Sequence, residues 1–272
     1  MGGISISEIF VAMNEAPHTI TAANASDIAA NFDLDINELY QGVVPPSCII
    51  VRWRILRMEI TWYGHSCFRL TERNYATVVT DPFDHRATGY DALKLKAEIV
   101  TISHDAPGHN FLDAVKGVSH VLTGAGEYEI GGVFITAVQT DGSGKKPKEK
   151  VRNTLYVFDY DGITVAHLGD LQQVPSQSEV EALGTVNVAL IPVGGGTSLN
   201  AAKAAEVVSL LEPNLVVPMH FSTPKTKLSL ESLNKFLKEM GLGKTTPQPS
   251  LKVTRSGLPD ETHVIVLDYQ KD

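Results

Sequence analysis

Two cysteines, Cys48 and Cys67, are all that 272 residues contain. They are too few and too far apart for a disulfide framework or a cysteine zinc site, and they suit a reducing cytoplasm. No lysine and arginine cluster offers the basic footprint expected of a nucleic-acid binder either. With a formal net charge of −8 and a sequence pI of about 5.6, the chain lacks the basic footprint that holds nucleic-acid phosphates. No apolar run approaches the ~18 residues of a membrane span. The most apolar N-terminal piece, 43–56, is interrupted by Pro45, Pro46, Arg52 and Arg54. A basic n-region followed by an apolar core, the mark of a signal peptide, is absent too. These absences predict a soluble cytoplasmic protein that works on a small molecule, with no nucleic-acid or membrane partner.

What is present is an ordinary globular composition, 43% hydrophobic and 20% charged, enough to bury a substantial core. Charge is unevenly spread. Up to Val51 there are six acids and no lysine or arginine; three arginines then fall within 52–57. Residues 1–57 therefore read as a poorly ordered extension with a candidate helix over 26–40, and 58–272 as the main domain. Met58, which opens the first clear strand, is a candidate translation start.

From Met58 the pattern is strand after strand. Runs over 59–63, 67–71 and 76–80, separated by Gly64-His65-Ser66 and Glu72-Arg73-Asn74, predict an antiparallel meander. Gly131-Gly132 and Asp161-Gly162 predict two hairpins. Beyond residue 170 extended and helical stretches alternate, with helices near 176–183, 200–211 and 229–240. Strands first and mixed α/β afterwards imply two sheets with helices outside rather than one doubly wound sheet. Residues 140–150 read as a mobile polar loop. Gly194-Gly195-Gly196 lacks the lysine-serine sequel of a phosphate-binding loop and reads as a flexible loop near a site entrance.

Three points share one grammar, in which an apolar strand stops and a metal-capable side chain follows. The run 99–102 precedes His104 and His109, 164–166 precedes Asp170, and 215–217 precedes His220. Imidazole and carboxylate are what zinc, iron or manganese accept, and strand ends hold such groups in fixed geometry.

Thr61-Trp62-Tyr63-Gly64-His65-Ser66-Cys67-Phe68, Thr80-Asp81-Pro82, the loop 103–109, the stretch 126–132, His167-Leu168-Gly169-Asp170 and Pro218-Met219-His220-Phe221 together resemble the lactonase-like branch of the metallo-β-lactamase superfamily, which includes ascorbate-phosphate lactonase-like proteins. The resemblance runs from about Met58 to the C-terminus. It implies an α/β fold, a four-layer αββα sandwich of two mixed β-sheets flanked by helices, with up to two metals at the sheet edge. His104 and His109 match the first and last histidines of the family's H-x-H-x-D-H motif, whose second histidine and aspartate are Ala106 and Gly108 here. Asp170 matches the bridging carboxylate and His220 the final histidine. Another family histidine falls near Thr140-Asp141, so Asp141 is an open candidate.

On this depleted motif the expected cofactor is one divalent metal, zinc first with manganese or iron as alternatives. Its ligands would be His109, Asp170 and His220, with His104 as fourth ligand or proton-transfer group. Asp170 would also act as base, and His104 or His65 would protonate the leaving group. Asp81 is either an orienting partner for a ligand histidine or an Asp-Pro turn. The resemblance implies a metal-dependent hydrolase of a small ester, lactone or phosphoester. The alternative is an inactive relative that binds a ligand or partner in the same cleft.

Overall fold

The computed structural model describes residues 57–140 and 152–271. The N-terminal stretch with its candidate helix and Cys48, most of the polar 140–150 loop, and Asp141 lie outside the described residues.

The first part of the chain builds β1 (Met58–Gly64), β2 (Cys67–Thr71), β3 (Val78–Thr80), a one-turn helix α1 (His85–Thr88), β4 (Leu95–Lys96), β5 (Ile99–Thr101), β6 (Val115–Lys116) and β7 (His120–Leu122). The hairpin strands β8 (Gly126–Ile130) and β9 (Val133–Thr140) follow, then β10 (Asn153–Tyr160) and β11 (Ile163–His167). The chain closes with α2 (Gln177–Leu183), β12 (Val188–Pro192), α3 (Ala201–Leu211), β13 (Leu215–Met219), α4 (Leu233–Glu239), β14 (Leu251–Val253) and β15 (His263–Val264). One sheet has the order β14-β1-β2-β3-β5-β7, the other β15-β13-β12-β11-β10-β9-β8, and β4-β6 form a small third.

Side-chain alternation explains how the first sheet is covered on both faces. Met58, Ile60, Trp62, Phe68, Leu70, Val78 and Ile99 join the core shared with the second sheet. Their neighbours Tyr63, Cys67, Val79 and Val100 point the other way, into a second cluster with Phe83, Tyr90, Leu95 and Val115. The outer face on that side is therefore closed by the segment 82–118, whose only α-helix is the four-residue α1, rather than by long helices. In the second sheet β12 and β13 are buried throughout and pair in parallel, and they read as unbroken apolar runs for that reason. Helix α3 covers them with Ala201, Ala204, Val207 and Val208, and starts at Asn200, whose side chain accepts from the Lys203 N–H. At α2, Ser176 and Glu179 form a complete capping box.

Strand direction fixes where chemistry can gather. β1 and β3 are each antiparallel to β2, and β3, β5 and β7 are parallel, so β1, β3 and β5 end on the same side. β11, β12 and β13 are likewise parallel. The two sets of strand ends meet: the His220 N–H donates to the His65 carbonyl at 3.1 Å and the Thr154 N–H to the Ser103 carbonyl at 2.8 Å. Among the described residues no helix is long and apolar enough to cross a membrane.

Candidate metal centre

Five side chains that sequence reasoning selected, His65, His104, His109, Asp170 and His220, come together at this junction. His65 follows β1, His104 and His109 lie in the loop after β5, Asp170 follows β11, and His220 follows β13. His65, His109 and His220 are buried, as is Asp170, while His104 borders solvent.

Backbone strain marks the same place. Five non-glycine residues among those described adopt positive φ, and three of them are His65 (50°), Asp81 (39°) and His220 (53°). The remaining two have ordinary explanations, Asp161 in the hairpin turn and Glu212 capping α3. Left-handed backbone costs about 1–2 kcal/mol at such a residue. Its concentration at one cluster is the usual sign of a site whose geometry is imposed by the surrounding fold.

The hydrogen-bond network sets the tautomers. Ser103 Oγ donates to Asp81 Oδ2 at 2.6 Å, so its 3.1 Å contact with His104 Nδ1 must be one in which the imidazole donates. Ser198 Oγ donates to the Gly195 carbonyl at 3.0 Å and therefore accepts from His220 Nδ1 at 3.1 Å. His109 Nδ1 donates to Asp81 Oδ2 at 2.8 Å. In all three rings Nδ1 carries the proton and Nε2 keeps a bare lone pair. The lone pairs of His104 and His220 lie 3.9 and 3.7 Å from the Asp170 carboxylate, and that of His109 accepts from His65 Nε2–H at 3.1 Å.

Asp170 is held by its own partners. The Thr197 hydroxyl donates to Oδ2 at 2.7 Å, and Asn153 accepts the Asp170 N–H at 2.9 Å while donating to the Leu168 carbonyl at 3.0 Å. Gly169, with φ of 56°, turns the chain where a Cβ would overlap Asn153 and Ser103. The second oxygen of Asp170, Oδ1, is buried without a hydrogen-bond partner. Burial and mutual repulsion pull the pKa values of His65 and His104 down, and burial is also the main cause that brings His220 to about 4. Neutral imidazole lone pairs beside an unpartnered carboxylate oxygen fit a divalent cation. Two sets of three donors lie close enough to hold one, His65/His109/His220 and His104/His109/Asp170.

Asp81 is both a turn residue and an orienting partner. Burial opposes its ionisation, but interactions with His109, His167 and Ser103 together outweigh burial and bring its pKa to about 2. Asp81→Asn keeps an acceptor for His109 and tolerates the left-handed backbone, but its amide NH2 would face the Ser103 N–H, so the fold is expected to persist with a stability loss of about 1–3 kcal/mol. Metal affinity is expected to fall about 10–100-fold through loss of the orienting charge. Titration against a chromophoric chelator measures it, and unchanged affinity would remove Asp81 from the centre.

Acid sensitivity follows from the same pKa values. His220 protonates near 6.5 when unfolded and only near 4 when folded. Between those values the unfolded chain binds the extra proton, so metal-free protein is expected to be fully stable above about 6.5 and to lose stability as pH falls towards 4. Asp81 adds a second loss between 3.8 and about 2. Thermal midpoints of chelator-treated protein across this range provide the check; a flat profile from neutrality to 4 would contradict it.

Sequence reasoning missed Ser103, Asn153, Thr197 and Ser198. Only Ser103, adjacent to His104, was within reach of a local pattern. Where the sequence predicts a flexible loop at Gly194-Gly195-Gly196, Gly194 and Gly195 are buried, and the absence of a Cβ on Gly194 lets this segment pass under His220 and deliver Thr197 and Ser198 to the site. His167 is buried beneath the Asp170 turn, donating from Nε2 to the Ser66 carbonyl at 2.9 Å.

A two-sheet sandwich with imidazoles and a carboxylate gathered at its strand ends defines a class, the metallo-β-lactamase fold. Residues 59–220 match the Beta-lactamase superfamily domain, and the chain belongs to that superfamily. It is 33% identical to a Thermotoga maritima protein of known structure described as a candidate Zn-dependent hydrolase of the metallo-β-lactamase superfamily, with 77% of this chain and 98% of that one covered and a TM-score of 0.61. A UPF0173 metal-dependent hydrolase of Thermococcus onnurineus is 27% identical over 194 residues, covering 61% of this chain and 85% of the relative. Another from Pyrococcus abyssi is 31% identical over 142 residues, 52% of this chain and 63% of the relative.

Proposed function

We propose that residues 58–272 form a hydrolase domain that holds one divalent cation, zinc first among the alternatives, and cleaves a small ester, lactone or phosphoester. The observation that carries this reading is the set of bare Nε2 lone pairs facing a buried, unpartnered oxygen of Asp170. Membership of a superfamily with metal-dependent hydrolases among its close relatives supports it. His109, Asp170 and His220, with His104, are the residues to hold the ion. A divalent ion acidifies coordinated water towards neutrality and draws electron density from a carbonyl or phosphoryl oxygen.

The protein's own groups divide the proton work. Asp170 is fixed by Thr197 and Asn153, and its free Oδ1 is placed to accept a proton. His104 lies at the solvent edge of the cluster, with its Nδ1 held by Ser103 and its bare Nε2 turned inward, where it first takes up the proton released by the attacking water and then passes it to a leaving group. The acidic balance of the chain, with a formal net charge of −8, favours a small substrate over nucleic acid.

The test is elemental analysis of full-length protein purified without chelator, followed by assay on nitrophenyl esters, lactones and phosphodiesters. About one metal per chain and turnover lost on chelation are expected. No metal after reconstitution would overturn the reading in favour of a binding protein that uses the same cleft.

A further inference from the structure

The His65 ring has no task in the fold outside the centre. It is 2% exposed, its Nδ1 is buried without a hydrogen-bond partner, and the polar contact of its Nε2 is with His109. Yet the structure goes to some length to place it. His65 has φ of 50°, and its carbonyl accepts from both Trp62 Nε1 and the His220 N–H, each at 3.1 Å, which clamps its turn to the equally strained His220. Its ring centroid is 4.3 Å from that of His220 and 4.7 Å from that of His109. Gly108 leaves the space: a Cβ there would lie 2.8 Å from His65 Nε2.

We propose that His65 is a metal ligand, forming with His109 and His220 a three-imidazole site for a single ion. This rests on the metal-dependent reading above and revises its ligand set, with His65 taking the place of Asp170 and His104. The 3.1 Å between the Nε2 atoms of His65 and His109 is close to the edge of a tetrahedron with metal–nitrogen bonds of about 2.0–2.1 Å, which is ~3.3 Å. The 3.9 Å between His104 and Asp170 in the competing set is wider, and His104 is more exposed than any of the three. Both sets need His109 Nε2, whose single lone pair serves one ion because Nδ1 is committed to Asp81. One full set of three protein donors can exist at a time. With His65 in it, Asp170 and His104 stay free for proton transfer.

The experiment compares three variants of the full chain, His65→Asn, His104→Asn and Gly108→Ala, each stripped and then titrated with zinc against a chromophoric chelator and with cobalt(II) followed by visible absorption. Asparagine tolerates the left-handed backbone at position 65. His65→Asn is expected to weaken zinc binding at least roughly 100-fold, beyond the loss typical of an outer partner, and to change the cobalt spectrum. Gly108→Ala, which forces the His65 ring aside without touching a donor, is expected to move affinity and spectrum in the same direction, and it carries the test if the asparagine variant does not fold. His104→Asn is expected to alter affinity less than about 10-fold. Wild-type affinity and spectrum in His65→Asn or Gly108→Ala, with binding lost in His104→Asn, would overturn the proposal and leave the hydrolase reading standing. Failure of the unaltered protein to bind either metal would overturn both.

Discussion

His109→Ala is expected to abolish metal binding, with affinity reduced by well over the ~100-fold ceiling for an outer-shell loss. The reason is its double commitment. Nε2 belongs to both three-donor sets, so neither survives its removal. Nδ1 donates at 2.8 Å to Asp81, a fully buried carboxylate whose pKa of about 2 depends on that contact. Removing the imidazole strands the carboxylate with only the two Ser103 bonds, at 2.6 and 2.7 Å. Leaving a buried acceptor without its donor costs about 1–3 kcal/mol, and more when the acceptor is a carboxylate. The variant is therefore expected to be less stable than metal-free wild type as well as metal-free itself. Metal content by mass spectrometry and thermal midpoints of both apo-proteins separate the two effects. Retention of one tightly bound ion by the variant would remove this loop from the metal centre.

Gly194→Ala is the largest expected effect of a single methyl group. Its Cβ would overlap the His220 carbonyl oxygen and lie 2.8 Å from Phe221 Cα. These are backbone atoms, so no rotamer change relieves the clash. The segment that would have to move also carries the Glu231 N–H bond to the Gly194 carbonyl at 2.7 Å and the Ser198 contact to His220 at 3.1 Å. Overpacking against a rigid partner costs about 1–3 kcal/mol, and this case belongs at the upper end. A fall in thermal midpoint of about 6–12 °C follows for a chain of this size. Because His220 would be displaced, metal affinity should fall with stability. Gly196→Ala at the exposed end of the same loop tests the distinction. Its Cβ would meet only Leu230 Cδ2 at 3.4 Å and the Ser229 carbonyl at 3.8 Å, leaving the strain of its φ of 70° as the chief cost. A Gly194→Ala protein as stable as wild type would mean that the loop is not packed against His220 as described.

Much of this architecture is legible in the chain because it is local. Alternation of apolar residues marks β1 to β3, and Gly131-Gly132 and Asp161-Gly162 mark hairpins whose turn backbones need positive φ. The unbroken apolar runs of β12 and β13 announce strands buried on both faces. His104, His109, Asp170 and His220 are legible for a related reason, since each follows the end of such a strand. Asp81, ambiguous as a sequence feature, is a turn residue that also orients His109.

What no local pattern contains is the pairing of strand ends that lie far apart in the chain. Thr197 reaches Asp170 and Ser198 reaches His220, contacts separated by 27 and 22 residues, and Asn153 supports the Asp170 turn from the start of β10. His65 is the clearest case. In the sequence it is one histidine in a Gly-His-Ser turn, suited equally to holding that turn or to facing a pocket. The tertiary structure brings its Nε2 to 3.1 Å from that of His109, 44 residues away in sequence, in room left by Gly108. Strand and turn positions are determined by the chemistry of neighbouring residues and are therefore written along the chain. Ligand sets, tautomers and backbone strain depend on which strand ends the packing of two sheets brings together, and only the folded structure decides that.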